Sequence, residues 1–235
     1  MRHVRVLRPD YVIEAACLAL FLVSAVTFTV LLEHPDSPVR MSLVDPFLRR
    51  ALMGLAMGLT AAALIYSPMG LRSGAHMNPA VTLAWARVGR MRPDHAAGYV
   101  AAQFAGGLLG MTASWLLFAS RIADDSVAWV STRPGAPGPA VAFAAELMMT
   151  FVLMLVVLEL SAHVRWQRWT GAVAATLVAL YITFEAPLSG MSLNPARSFG
   201  PAFFAGEFTY LWIYFAAPTA GALIAAEFHR RRARP

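Results

Sequence analysis

The sequence predicts an all-α membrane protein with six crossing helices and two re-entrant half-helices, arranged as an inverted repeat. Three observations lead there. Of its 235 residues 58% are hydrophobic and only 14% charged, with a mean hydropathy of +0.58. A globular surface normally needs about a quarter of its residues charged. The apolar residues gather into six runs, and two Asn-Pro-Ala triplets, starting at Asn78 and Asn194, fall at equivalent places among them.

The runs 11–32, 95–118 and 139–158 reach or approach the ~20 residues that a helix needs to cross the hydrocarbon layer. Runs 51–66, 169–184 and 208–226 are weaker candidates of the same kind. The fifth is short, and Arg49 and Arg50 blur the start of the second. A cleaved signal is the competing reading of residues 1–32, since Arg2, Arg5 and Arg8 precede the first run. That run continues for about 22 residues, whereas a signal core is 7–15 long.

All 19 basic side chains are arginine, and the net charge is +6. Arg2, Arg5, Arg8, Arg87, Arg90, Arg92, Arg165, Arg168, Arg230, Arg231, Arg232 and Arg234 all fall on one side of a six-span chain. The opposite loops mix Arg40, Arg121 and Arg133 with Glu33, Asp36, Asp124 and Asp125. Both termini are therefore expected in the cytoplasm. Arg49 and Arg50 are the exceptions. The same distribution argues against a nucleic-acid partner, because no separate basic face carries interleaved aromatics. Cys17, the single cysteine, lies inside the first run and reads as a small apolar filler.

The polar, Pro/Gly-rich stretch 119–138 divides the chain into halves of approximately 10–118 and 139–228. Each half has a span with one acid near its start (Glu14, Glu146), a second span, a Ser-Gly shortly before the triplet, and a closing span. Three spans per half force the second half to enter from the opposite face, the pattern of an inverted repeat. Asparagine is a favoured helix cap and proline is favoured at the first helical position. Asn78-Pro79-Ala80 and Asn194-Pro195-Ala196 thus open two half-helices, expected over 78–86 and 194–203, each roughly 13–15 Å long. The preceding stretches, Ser73–Met77 and Ser189–Leu193, read as non-helical. Such backbone at membrane depth is tolerated where it is buried in protein or lines a watery cavity. A pore or central site follows.

Taken together, the extended motifs Ser73-Gly74-Ala75-His76-Met77-Asn78-Pro79-Ala80-Val81-Thr82 and Ser189-Gly190-Met191-Ser192-Leu193-Asn194-Pro195-Ala196-Arg197-Ser198-Phe199-Gly200-Pro201 resemble the aquaporin, or major intrinsic protein, family. The resemblance covers approximately residues 10–228. It implies an hourglass pore in each subunit of a homotetramer, no cofactor, no resident metal and no enzymatic activity. It assigns the pore asparagines to Asn78 and Asn194 and the filter arginine to Arg197. It also implies that Glu14 and Glu146 hold the re-entrant loops through hydrogen bonds to backbone. The remaining filter positions fall on Ile182, on Met191, and on Met57 if one residue is inserted before Gly74, otherwise on Gly58. His76 reads as an orienting residue or part of the cytoplasmic mouth rather than a metal ligand. The small residues Ala102, Gly106, Gly107 and Gly110 let helices approach closely.

The physical reading agrees with that assignment. Two helix N-termini meeting at the midplane present unpaired N–H groups and a positive potential. Cations and hydronium are repelled there, and the oxygen of a neutral molecule is attracted. Water is the expected solute. Ser198 stands where glycerol channels of the family have aspartate, and Tyr214-Phe215 precedes Pro218. The apolar Met57, Ile182 and Met191 point the other way, toward small neutral solutes such as glycerol, urea or ammonia. An ion-coupled transporter would need ion ligands at the breaks, where this chain offers Asn, Gly and Ala. A closed, structural relative of the fold is the other rival. The expected setting is a bacterial plasma membrane.

Overall fold

Most helices open on a proline that follows a turn-forming or capping residue. A computed structural model describes residues 8–232. Arg2, Arg5 and Arg234 lie outside the described residues. The long helices are α1 (Arg8–Glu33), α2 (Pro46–Tyr66), α4 (Pro93–Phe118), α5 (Pro139–Ala162), α6 (Thr170–Phe184) and α8 (Leu211–Arg232). Between them sit the half-helices α3 (Pro79–Arg87) and α7 (Pro195–Ala205). Asp45 shows the local logic. Its carboxylate accepts from the amide of Phe47, and Pro46 has no amide needing a partner.

Five of the six long helices are long and apolar enough to cross a membrane. The sixth, α6, has only 15 residues, roughly 22 Å of helix. The tight turn Gln167–Trp169 runs directly into it, and the short helix Ala186–Ser189 continues beyond it. Its shortness in the sequence is thus real and is made good by its flanks.

The two halves pack in equivalent ways. Helix α1 lies along α4, α5 lies along α8, and α2 pairs with α6 across the halves. Each half-helix packs extensively on the closing helix of the other half, α7 on α4 and α3 on α8. Small residues permit this. A side chain at Gly106 would lie 2.3 Å from the carbonyl of Ala15 on α1, and one at Gly107 would lie 2.7 Å from that of Ala196 on α7. The glycine cluster of α4 therefore serves two contacts, a helix of its own half and the half-helix of the other.

Two expectations need adjusting. Ser73 and Ser189 do not belong to the non-helical stretches, because they close the short helices Pro68–Ser73 and Ala186–Ser189. Gly74 and Gly190 follow as left-handed caps at φ +91° and +80°, each a fixed turn. The second span starts earlier than expected, at Pro46, and takes in Arg49 and Arg50. Arg49 is buried, with its Nε 3.1 Å from both Glu33 oxygens and its Nη1 2.8 Å from the carbonyls of Leu43 and Val44. Arg50 donates to the carbonyl of Thr183 at 2.7 Å. Both tie the first turn of α2 in place, a structural role that accounts for their departure from the charge pattern.

Candidate functional site

The two re-entrant loops are each held by one buried carboxylate. Glu14 accepts from the amides of His76 (3.0 Å) and Met77 (2.7 Å) and from the hydroxyl of Ser73 (2.8 Å). Glu146 repeats the pattern with the amides of Ser192 and Leu193, both at 2.7 Å, and the hydroxyl of Ser189 at 2.8 Å. Both acids are fully buried, and these bonds offset the cost of removing a carboxylate from water. They also hold non-glycine backbone in left-handed conformations, Met77 at φ +49° and Leu193 at φ +56°. Such residues cost about 1–3 kcal/mol each and persist only where surrounding contacts over-determine them.

The turns now present Asn78 and Asn194 to each other. The Oδ1 of Asn78 accepts from the amide of Ala80 at 2.9 Å, and that of Asn194 from Ala196 and Arg197, each at 3.1 Å. The Nδ2 of Asn78 donates to the carbonyl of Leu193 at 2.7 Å, and the Nδ2 of Asn194 to that of Met77 at 2.6 Å. Each asparagine thus caps its own half-helix and staples the opposite loop. A carboxamide has two N–H donors, so one remains on each side chain for a third party. The sequence reading foresaw the caps and missed the reciprocal staple.

A cavity of about 670 Å³ passes this junction. Its wall includes Arg49 and Tyr66, so it extends the length of α2. Asn78, Asn194, Arg197, Met57, Ile182 and Met191 all line it. Met57, not Gly58, is on the wall, since Gly58 faces α6, where a side chain would lie 2.9 Å from the Ala175 carbonyl. His76 also lines the cavity, with Nδ1 3.0 Å from the hydroxyl of Thr82 and its ring stacked on Trp85. Pro79, Ala80, Pro195 and Ala196 are buried behind the asparagines as the first turns of α3 and α7.

Arg197 is positioned by a segment that the sequence reading treated as a linker. Its Nη1 donates to the hydroxyl of Thr132 and to the carbonyl of Val130, the latter at 3.4 Å. Thr132 in turn meets Ser198, which meets Ser192. Of the five N–H donors of a guanidinium, these contacts use two and leave three without a protein partner among the described residues. Arg197 makes no ion pair among the described residues, although the charge of buried Glu146 acts on it, and it lines the cavity wall.

Other supporting residues were also missed. Gln103 donates to Glu14 at 2.8 Å and to Thr82 at 3.0 Å. The hydroxyls of Tyr99 and Tyr214 hold the carbonyls of Ser73 and Ser189, at 2.8 and 2.6 Å. Tyr214, first read as a mark of solute preference, therefore anchors a loop. Their only sequence signal is a polar or phenolic group within an apolar run.

Glu185, just beyond α6, is the acid that the pattern overlooked. Both its carboxylate oxygens are buried without a hydrogen-bond partner among the described residues.

Comparison with known proteins gives a consistent result. The family described as "Major intrinsic protein" matches residues 5–229. Aquaporin NIP3-1 of Arabidopsis thaliana is 39% identical over 184 residues, covering 74% of this chain and 54% of that protein. Glycerol uptake facilitator protein-like 6 of Lactiplantibacillus plantarum is 35% identical over 177 residues, covering 74% of this chain and 81% of the relative. The chain spans only 54% to 62% of the length of the plant relatives it matches. The X-ray structure of the aquaglyceroporin from Plasmodium falciparum superposes with a TM-score of 0.77 at 19% identity, covering 94% of this chain and 95% of the other. That likeness speaks to the fold.

Proposed function

This chain belongs to the major intrinsic protein family, and from that premise we propose that it is a passive channel conducting water while excluding protons and ions. One observation carries the reading. Two asparagines, each with one N–H left free, meet at the facing ends of two half-helices on the wall of a single cavity. A water molecule that accepts from both cannot also donate along the file at that point. Proton hopping is interrupted, and the helix ends oppose cations. Arg197 adds a second positive barrier on the outer side. The filter is Arg197, Met191, Ile182 and Met57, and Glu14 and Glu146 are the structural acids that hold the loops.

A second reading has its own support. Met57, Ile182 and Met191 supply no hydrogen-bonding group, and methionine walls adapt to what passes. A small neutral solute such as glycerol or urea is favoured by that apolar wall. Relatives bear both kinds of name, aquaporin and glycerol facilitator. Proteoliposomes under an osmotic step separate the readings. Fast shrinkage that is insensitive to ion gradients supports a channel, and re-swelling with glycerol or urea identifies a broader filter. Shrinkage at the rate of bare lipid sinks both.

The functional unit is a homotetramer of independently conducting subunits in a bacterial plasma membrane, with both termini cytoplasmic. The orientation rests on the arginine distribution. Impermeant thiol reagents applied to intact cells should label a cysteine at position 129 and spare one placed in the C-terminal tail. Labelling of the tail would invert the topology.

A further inference from the structure

The segment joining α5 to α6 reads His163-Val164-Arg165-Trp166-Gln167-Arg168-Trp169, and every one of these residues is exposed. Val164 is 86% exposed, Trp166 47% and Trp169 48%, more apolar surface than a water-facing loop would present. The two arginines lie over the two tryptophans, Arg165 at 5.1 Å from the ring centre of Trp166 and Arg168 at 5.3 Å from that of Trp169. Neither has an acidic partner among the described residues. At the same end of the bundle Arg87, Arg230 and Arg231 are all tied to Glu227, and Arg92 to Asp94. Arg90 and Arg232 at this end also lack an acidic partner among the described residues, each lying over an aromatic ring, but the loop sets two such arginines within four residues of each other.

That combination has one chemical match. Exposed tryptophans settle at the membrane–water boundary. A guanidinium held over an indole keeps donors available that match the paired oxygens of a phosphate. We propose that loop 163–169 binds the phosphodiester headgroup of an anionic phospholipid, with the two Arg–Trp pairs as its contacts. The bound lipid borders the pore mouth. Gln167, Arg168, Thr170 and Gly171 line the cavity, and Tyr66 fixes the loop by donating to the carbonyl of Arg168 (2.8 Å) and accepting from the amide of Ala172 (2.9 Å). The inference is independent of which solute passes.

Lipids brominated near the top of the acyl chain quench nearby tryptophan, which gives the test. The protein is reconstituted in phosphatidylcholine carrying a small fraction of brominated phosphatidylglycerol or of brominated phosphatidylcholine. Subtracting the signal of a W166F/W169F reference isolates the two loop tryptophans. Phosphatidylglycerol should quench this difference signal at roughly tenfold lower mole fraction, the combined pull of two arginines at an anionic surface. In R165Q/R168Q, which keeps both tryptophans, the preference should fall to near unity. Equal quenching by the two lipids in the wild type overturns the proposal, as does a preference that survives R165Q/R168Q. Absence of quenching by either lipid also overturns it, because the two tryptophans would then stand clear of the lipid.

Discussion

Replacing Asn194 with valine should reduce osmotic water permeability per inserted protein by roughly an order of magnitude and destabilise the fold as well. Three hydrogen bonds disappear together: those from the amides of Ala196 and Arg197, and the one to the carbonyl of Met77. Loss of the cap alone costs ~0.5–2 kcal/mol. The carbonyl of Met77 loses its asparagine donor, which adds up to ~1–3 kcal/mol, less where water in the cavity that Met77 lines takes over the bond. Met77 is also left-handed, so releasing its carbonyl loosens a turn that already stores strain. The remaining N–H that would meet a permeating oxygen is lost at the same stroke. Ile182→Val provides the contrast. It shortens a wall residue by one methylene, makes and breaks no hydrogen bond, and should keep water permeability within about twofold. Stopped-flow light scattering, normalised to correctly inserted protein, measures both. Equal permeability of wild type and Asn194→Val would remove this side chain from the conducting path.

Why Asn194 was legible in the sequence, and its partner was not, follows from the range of the forces involved. A cap and the proline behind it are local. Asn, Pro and a following apolar stretch specify a helix start whatever surrounds them. The same holds for the spans, where apolar length alone signals a crossing. The staple to Met77 joins residues 117 apart, and the bond from Arg197 to Thr132 joins residues 65 apart. No local pattern encodes either. Stretch 119–138 read as a linker because it is polar and rich in Pro and Gly. Its backbone and hydroxyls are instead what fix Arg197. The choice between Met57 and Gly58 could not be made by counting either. It was decided by how closely α2 approaches α6, a distance that only the packed pair defines. Glu14 and Glu146 stood out as lone acids in apolar runs, whereas Glu185 was passed over because it falls at the end of one, where acids are common.

Arg197→Val should broaden the solute profile and raise cation leak together. The wild-type guanidinium brings a permanent charge and three unengaged N–H donors into the cavity wall. Valine removes all of these and opens space beside Met57, Ile182 and Met191. Glycerol and urea flux should then rise relative to water. The rise in proton and small-cation leak should stay modest for two reasons. The apolar residues Ile182 and Met191 still oppose ions through dehydration, and the half-helix ends still oppose cations at the asparagines. The structure adds a third element. Without Arg197, the hydroxyl of Thr132 and the carbonyl of Val130 lose this donor, and each freed oxygen is an acceptor that favours cations. Arg197→Val paired with Thr132→Val should therefore leak less than Arg197→Val alone, although it is no narrower. Stopped-flow volume changes in water, glycerol and urea, together with a pH-sensitive dye under an imposed proton gradient, give both readouts on the same vesicles. An unchanged solute profile and an unchanged leak in Arg197→Val would place the arginine outside the filter, and the assignment of Met57, Ile182 and Met191 around it would fall with it.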